Sequence, residues 1–553
     1  MNKAVAYSND SVVFIAWQYD KSIANCLGFD VRRTDLKTKA MTHMPTWIPF
    51  IGQTNTSWKP SGSDVWPVQK FSWRDFSIQS GGSYQYEVVP MVGAPGALKP
   101  QESLALTTNL VTLSISYGDI SAAFTSGILS TQFVAHQLPA SKTGGPSLAT
   151  LKKDIFTSGN PLREKLAGNS LPMLKSLLQR AQKNGGECYC SLYELTDPDL
   201  MTLLKGNKAV HLILSNTGSD DATNKDSRQT LHQSGVDIHD RMLQNGHIGH
   251  NKFAVYVDKA KKPQAVLSGS TNWTPTGMCA QSNNAVIVES PEVASAYLDY
   301  WHRLLQDGHA QGQPLRTSDT KSFQAKLDSG KTDLRVWYSP NTKATAKPAK
   351  NPPAPPDMAD VFSVMKNAKQ SILFLVFLPG TPSIVDQAMA LQQANPKLLV
   401  RGAVSDSKAM PQVKLIHRAD EDPVVVLASA IKDEFAAWHK ELLSAGYAII
   451  HDKIVVVDPF TPDCAVITGS HNLGYKASYA NDENLLIIRG NQALAQAYAV
   501  HVLDVYDHYR FRYVQQQQGK GKAFSGFLST SPDWQMSYFT AAGKTEMHNW
   551  IAS

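Results

Sequence analysis

Apolar residues along this chain fall into short runs, and the company those runs keep changes near residue 150. Before that point they are separated by clusters of Gly, Pro, Ser and Asn, the pattern of short strands joined by turns. Strands are predicted over 12–17, 26–32, 70–78 and 83–92. In the last, Tyr84, Tyr86 and Val88 alternate with polar residues and share one face. An all-β sandwich is therefore expected over residues 1–100.

Further on, strand-like runs alternate with amphipathic stretches. CYCSLYEL is followed by KAVHLILSN, and SILFLVFL by KLLVRGAVSD; helices are expected before them over 171–182 and 358–369. Then HNKFAVYVD matches HDKIVVVDP, AVLSGSTN matches AVITGSHN, and NNAVIVES matches ENLLIIRG. Each half closes on a predicted helix, 291–305 and 492–508. The offset between copies is 201 residues at the first of these motifs and 200 at the next two. Strands alternating with helices, repeated once at a constant offset, predict one α/β lobe built twice. The expected fold class is thus α/β, two pseudo-symmetric lobes sharing one site, preceded by an all-β sandwich. The boundaries read as 1–100 sandwich, 101–147 connecting segment, 148–325 first lobe, 326–515 second lobe and 516–553 tail. Residues 341–356, rich in Pro, Lys and Ala, read as a mobile loop inside the second lobe, because 334–340 already looks like a strand.

Composition narrows the class. With 42% hydrophobic and 18% charged residues, the chain can bury sizeable cores and is not globally disordered. A net charge of +6 suits an anionic substrate without requiring one. The five cysteines are scattered and show no zinc-type spacing, which argues against a disulfide framework. No apolar stretch is long enough to span a bilayer, and the first twenty residues show no secretory pattern. A cytoplasmic location, or export without a recognisable signal, is expected.

The chemistry sits in a doubled constellation. One copy is His250, Lys252, Asp258, Gly269, Ser270, Asn272 and Asn283; the other is His451, Lys453, Asp458, Gly469, Ser470, Asn472 and Glu483. His and Lys two apart on a strand share a face, which sets an imidazole beside an ammonium. Ser and Asn two apart after Gly aim a hydroxyl and an amide together, and Gly permits close approach of backbone to ligand. Two lobes would bring together two of each group. That inventory suits a phosphodiester. Ammonium groups neutralise the phosphoryl oxygens, one imidazole attacks phosphorus, and the other protonates the leaving oxygen and later deprotonates water. No metal and no cofactor are called for, since lysines supply the positive charge.

These residues resemble the phospholipase D superfamily, whose signature is His-x-Lys, four residues, Asp, then Gly-Ser-x-Asn. The resemblance covers roughly residues 150–515 and implies two α/β lobes with one shared site and a phosphohistidine intermediate. Carried over by motif position, the catalytic set is His250, Lys252, Asn272, His451, Lys453, Asn472 and Glu483. Ser270, Ser470 and Asn283 are expected to bind substrate, and Asp258, Asp458, Gly269 and Gly469 to be structural. Asp258 stands one residue late. Asn283 is uncharged where Glu483 is a carboxylate, which implies unequal histidines: by chain position His250 is the nucleophile and His451 the acid. WQYD, GFDVRR and GGSYQYEVVPMVG in the first hundred residues resemble a fibronectin type III module, which would bind a protein or surface partner or act as a spacer.

Other residues receive plainer readings. His211, His247, His439 and His471 are expected to be structural, with His471 the one that could line the site, and Trp273 to pack. The expected substrate is a phospholipid head-group diester. Cleavage of DNA or RNA is the alternative, and an inactive anion-binding adaptor the third reading. The catalytic unit is expected to be complete within one chain.

Overall fold

The computed structural model describes residues 2–57, 59–78, 81–127, 147–216, 219–243, 246–405, 425–427, 449–517 and 526–551. Every residue of the strands Lys252–Val257 and Lys453–Val457 is buried. A strand apolar along its whole length belongs in a sheet covered on both faces, and each lies near the middle of an eight-stranded sheet. In the first lobe the order is Ser116–Tyr117, Ile120–Phe124, Asn284–Val288, Pro263–Gly269, Lys252–Val257, Glu187–Leu192, Val210–Ser215 and Asp237–Arg241. In the second it is Phe323–Leu327, Thr332–Ser339, Glu483–Arg489, Ala465–Gly469, Lys453–Val457, Ser371–Val376, Leu399–Val404 and Val425–Leu427. The two orders correspond strand for strand.

Alternation along the strands divides the cores. Val255, Val257, Ile454 and Val456 belong to one large cluster shared by both lobes, joined by Tyr297 and Trp301 of the helix Pro291–Asp307 and by Tyr498 and Val502 of the helix Gln492–Gln517. Ala254 and Tyr256 face the first lobe's own core, with Leu174 and Leu177 of the helix Ser170–Asn184. Val455 and Val457 face the second lobe's core, with Met358 and Val361 of the helix Pro356–Lys366. The helices that close each repeat thus lie in the seam.

The first hundred residues form two facing sheets. Lys3–Ser8, Val13–Gln18 and Ser72–Asp75 make one; the other is built on Cys26–Asp35 and Ser83–Ala94. Trp17 and Phe29 pack edge to face between them, ring centres 5.2 Å apart. The strand Lys3–Ser8 went unread because KAVAYS is short and has no clear alternation. The connecting segment is divided between its neighbours. Leu106–Thr107 and Val111–Thr112 pair with Ser83–Ala94, while Ile120–Phe124 pairs with Asn284–Val288 of the first lobe. The tail docks on the sandwich: Trp534, Tyr538 and Phe539 lie 5.8, 4.9 and 5.7 Å from the Phe71 ring, and Tyr7 donates to the Trp550 carbonyl at 2.8 Å. The Pro- and Lys-rich loop is tied to residues of both lobes. Arg316 donates to the carbonyls of Thr342 and Ala344, and Tyr479 to that of Pro353.

Candidate active site

The site is built where the two lobes exchange main chain. His250 N donates to Asp482 O at 2.9 Å, and Asp482 N to Ile248 O at 3.0 Å. Half a pseudo-turn away, His451 N donates to Ser282 O and Ser282 N to Ile449 O, both at 3.0 Å. Each histidine is therefore clamped to the residue that precedes the other lobe's Asn283 or Glu483. The side chains follow. His250 Nδ1 meets both Glu483 carboxylate oxygens at 2.9 Å. His451 Nδ1 meets Asn283 Oδ1 at 2.9 Å. All four residues are buried.

Lys252 and Lys453 each donate to the carbonyl of the histidine two residues before, at 2.6 Å. Each ammonium also lies over an aromatic ring from the adjacent strand end, Lys252 over Tyr193 at 5.0 Å and Lys453 over Phe377 at 5.4 Å. The same rings pack on the histidines, Tyr193 on His250 and Phe377 on His451. Burial, then Lys453, Lys252 and His250, drives the His451 imidazole well below its ordinary value. The two His–Lys pairs thus face one electrostatic centre.

Gly269 and Gly469 end their strands at φ of +133° and +131°. A Cβ at either would meet the carbonyl of Asn284 or Asn484, so only glycine lets the chain turn there. The next residues reach inward. Ser470 donates to Glu483 Oε2 at 2.7 Å, and Ser270 to Asn283 Oδ1 at 2.9 Å. Asn481 adds a further donor to Glu483 at 3.1 Å. Ser270, Ser470 and Asn283, expected to bind substrate, hold the histidines and their partners in this structure. Asn272 and Asn472 remain at the site, each with a buried side-chain oxygen that has no protein partner.

Burial pushes the His250 imidazole down to about 4, against the pull of Glu483. Burial alone would raise Glu483, but His250 and Lys252 hold its carboxyl below the usual range. When His250 donates its Nδ1–H to Glu483, the ring's lone pair lies on Nε2. His451 has an amide where His250 has a carboxylate, so nothing anionic of its own holds a proton on it. Burial and Lys252 likewise lower Lys453 well below an ordinary lysine. Any anion held between these groups would favour the protonated forms of both.

The two aspartates serve turns. Asp458 accepts from the main-chain N–H of Lys369, Gln370 and Ser371 at 2.7–2.8 Å. Asp258 accepts from those of Ala260 and Lys262 in its own turn, and from Gln264. The one-residue displacement in the first motif thus changes which turn is pinned. His471 is buried, lies 3.2 Å from Asp357 and contributes to holding the Glu483 carboxyl low. His211 pairs with Asp237, His247 with Gln311, and Trp273 is buried; His439 lies outside the described residues. Glu194 was not foreseen: it accepts from Asn272 Nδ2 at 2.7 Å. Its second-lobe counterpart, by strand register, is Leu378. Only that register, invisible in one dimension, singles it out. Among the described residues no helix is long and apolar enough to cross a membrane.

A family model described as "Cardiolipin synthase, PLD-like domain" matches residues 174–305 and again 361–503, one match in each lobe. No curated protein sequence matches the chain. Among solved structures, it is similar to a phosphatidylserine synthase of Haemophilus influenzae Rd KW20 at 10% identity, covering 68% of this chain and 93% of that one, TM-score 0.38. A polyphosphate kinase of Porphyromonas gingivalis is similar at 15% identity over 57% of this chain, TM-score 0.35; the matched part spans 45% of the kinase. A phospholipase D family member of Salmonella typhimurium is similar at 22% identity over 25% of this chain and 88% of its own, TM-score 0.21.

Proposed function

We propose that this chain, whose two lobes are phospholipase D-like domains, is a metal-independent phosphodiesterase that works through a phosphohistidine. The observation that carries the reading is the crossed pairing of Glu483 with His250 and Asn283 with His451. Glu483 fixes the tautomer of His250 and stabilises the cation that phosphorylation creates, so His250 Nε2 is assigned as nucleophile.

In the first step Nε2 of His250 bonds to phosphorus and the bond to the leaving oxygen breaks. His451, protonated under the influence of the bound phosphate, gives its proton to that oxygen. In the second step His451 takes a proton from water, the water oxygen bonds to phosphorus, and the P–N bond breaks. Lys252 and Lys453 balance the phosphoryl charge throughout, and Asn272 and Asn472 orient it.

The substrate class assigned first is a phospholipid head-group diester. The exposed apolar Leu378, directly after Phe377, gives the second-lobe side of the mouth an edge suited to a lipid surface. A second reading, cleavage of nucleic acid, is favoured by the lysines of a cleft beside the site. The sandwich, similar in strand pattern to fibronectin type III modules, is assigned to partner or surface binding.

The test is hydrolysis of bis(p-nitrophenyl) phosphate, phospholipid vesicles, DNA and RNA with EDTA present. Wild-type protein should turn over one natural class as well as the aryl ester, and His250→Ala should turn over none. Turnover abolished by EDTA, or equal in His250→Ala, sinks the mechanism. Ligand binding with no turnover at all would make the chain an inactive adaptor.

A further inference from the structure

A cleft of about 370 Å³ opens beside the catalytic pair, between the segment 246–247 of the first lobe and three segments of the second. Its walls leave the site by short steps. His247 is three residues before His250, Thr381 follows the Phe377 that packs on His451, and Lys476 is four residues after Asn472. The remaining wall comes from the Pro- and Lys-rich loop, through Thr345 and Lys347. Two lysines, one histidine and the hydroxyls of Thr345, Thr381 and Tyr479 line the space, and no carboxylate does.

The cleft is fixed to the catalytic machinery. His247 Nδ1 lies 2.6 Å from Gln311 Oε1, and Gln311 Nε2 donates to Asp482, whose carbonyl holds the His250 main chain. Lys347 donates to the Thr381 carbonyl at 2.5 Å, which pins the loop across the cleft's edge. The corresponding first-lobe positions differ. Thr276 stands where Lys476 does in the second lobe, and on the first-lobe side Glu194 stands where Leu378 does. The mouth is thus acidic at one end and basic at the other, so a substrate with uneven charge binds in one direction. A lone phosphodiester is already matched by Lys252 and Lys453. The cleft's cations therefore have a use only if the substrate carries further negative charge.

We propose that this cleft is a second phosphate subsite, in which Lys347, Lys476 and His247 hold a phosphate borne by the same substrate molecule whose diester is cleaved. The proposal rests on the phosphodiesterase reading and names a property of its substrate: a second phosphate near the scissile one. A polynucleotide and a phosphorylated lipid head group both present that chemistry.

The test is equilibrium binding to His250→Ala protein, which cannot turn substrate over. The probes are dithymidylate without a terminal phosphate, with a 5′ one and with a 3′ one. A lipid arm compares phosphatidylinositol with phosphatidylinositol 4,5-bisphosphate in phosphatidylcholine vesicles. One extra phosphate, in at least one position, should tighten binding by about tenfold or more at low salt. Lys347→Ala/Lys476→Ala in the same background should abolish that preference, and Lys476→Arg should keep it. If the double variant does not fold, Lys476→Glu alone carries the reading. A preference in the nucleotide series assigns the source as nucleic acid, and one confined to the vesicles assigns it as lipid. Equal dissociation constants in both series, or a preference unchanged in the lysine variants, overturn the subsite whatever the turnover. A lysine-dependent preference in a protein whose wild type hydrolyses nothing would keep the subsite and remove the phosphodiesterase reading.

Discussion

Glu483, carried by the second lobe, holds the imidazole of His250, carried by the first, with both carboxylate oxygens 2.9 Å from Nδ1. The reciprocal contact from Asn283 to His451 uses an amide. The two lobes repeat each other in strand order, yet they hold their histidines with different charge. On the proposed mechanism, that difference assigns the nucleophile to His250 and the acid to His451.

Glu483→Gln keeps the shape and removes the charge. It should lower kcat on bis(p-nitrophenyl) phosphate by about 10²- to 10⁴-fold, as loss of an orienting carboxylate does in a catalytic triad. The acceptor role toward Ser470 and Asn481 survives in part, so the fold should stand. Wild-type kcat in this variant, with unchanged thermal unfolding, would mean that the carboxylate does not assist His250.

His451→Ala should trap the covalent intermediate when the leaving group needs no protonation. With a p-nitrophenyl ester, His250 can still attack, but no base remains to activate water. Mass spectrometry under alkaline handling should find the added phosphoryl group on the peptide holding His250. Label on the peptide holding His451 in the wild type, or none in either protein, would reverse or remove the assignment.

Stability should fall as pH drops from about 6.5 to about 4. The folded-state value of His250 is depressed from 6.5 to about 4, so within that window the unfolded chain binds a proton that the folded one does not. The loss amounts to about 3 kcal/mol and levels off below the folded value. Glu483, also depressed, pushes the same way lower down. Urea unfolding at pH 7.0, 5.5 and 4.5 should show this slope in the wild type and a shallower one in His250→Gln. Identical slopes would refute the linkage.

Arg241 crosses the lobes. It pairs with Asp482 at 2.7 Å and with Asp307 at 2.7 Å, all three side chains being buried. Arg241→Ala removes the guanidinium bonded to both carboxylates, leaving only the more distant charge of Arg316, and should cost about 3 kcal/mol. Because Asp482 also carries the carbonyl that holds His250, activity should fall with it. Chemical denaturation and initial rates measured together would show this, and loss of neither would place the interlobe joint elsewhere.

How much of this was legible in the sequence depended on distance along the chain. The lobes could be read because continuous apolar strands and the motif at Gly469, Ser470 and Asn472 are local, and their repetition at an offset of 200 or 201 residues is visible by eye. The conformation of Gly469 explains the motif afterwards, since its φ admits no side chain. The partner of His250 could not be read. Glu483 follows the second motif and would be paired with the nearer His451, and only the main-chain exchange at Asp482 and Ser282 crosses the assignments. Glu194 and the cleft at Lys347 and Lys476 stayed hidden for the same reason: each is made by strand register and loop docking between distant segments. The short strand Lys3–Ser8 was missed through want of pattern, and its place in the sheet comes from pairing with Val13–Gln18.

The docking of Trp534, Tyr538 and Trp550 on the sandwich has a consequence in time. Phe71 and Tyr7 leave the ribosome early, and the aromatic residues that cover them are made after both lobes. At about 5–20 residues per second, the interval is about half a minute to a minute and a half. Through that interval the side of the sandwich that Trp534, Tyr538, Phe539 and Met547 cover lacks those residues. A translation pause within the second lobe should therefore leave the newborn chain dependent on chaperones, even though every residue of the two sandwich sheets has already emerged.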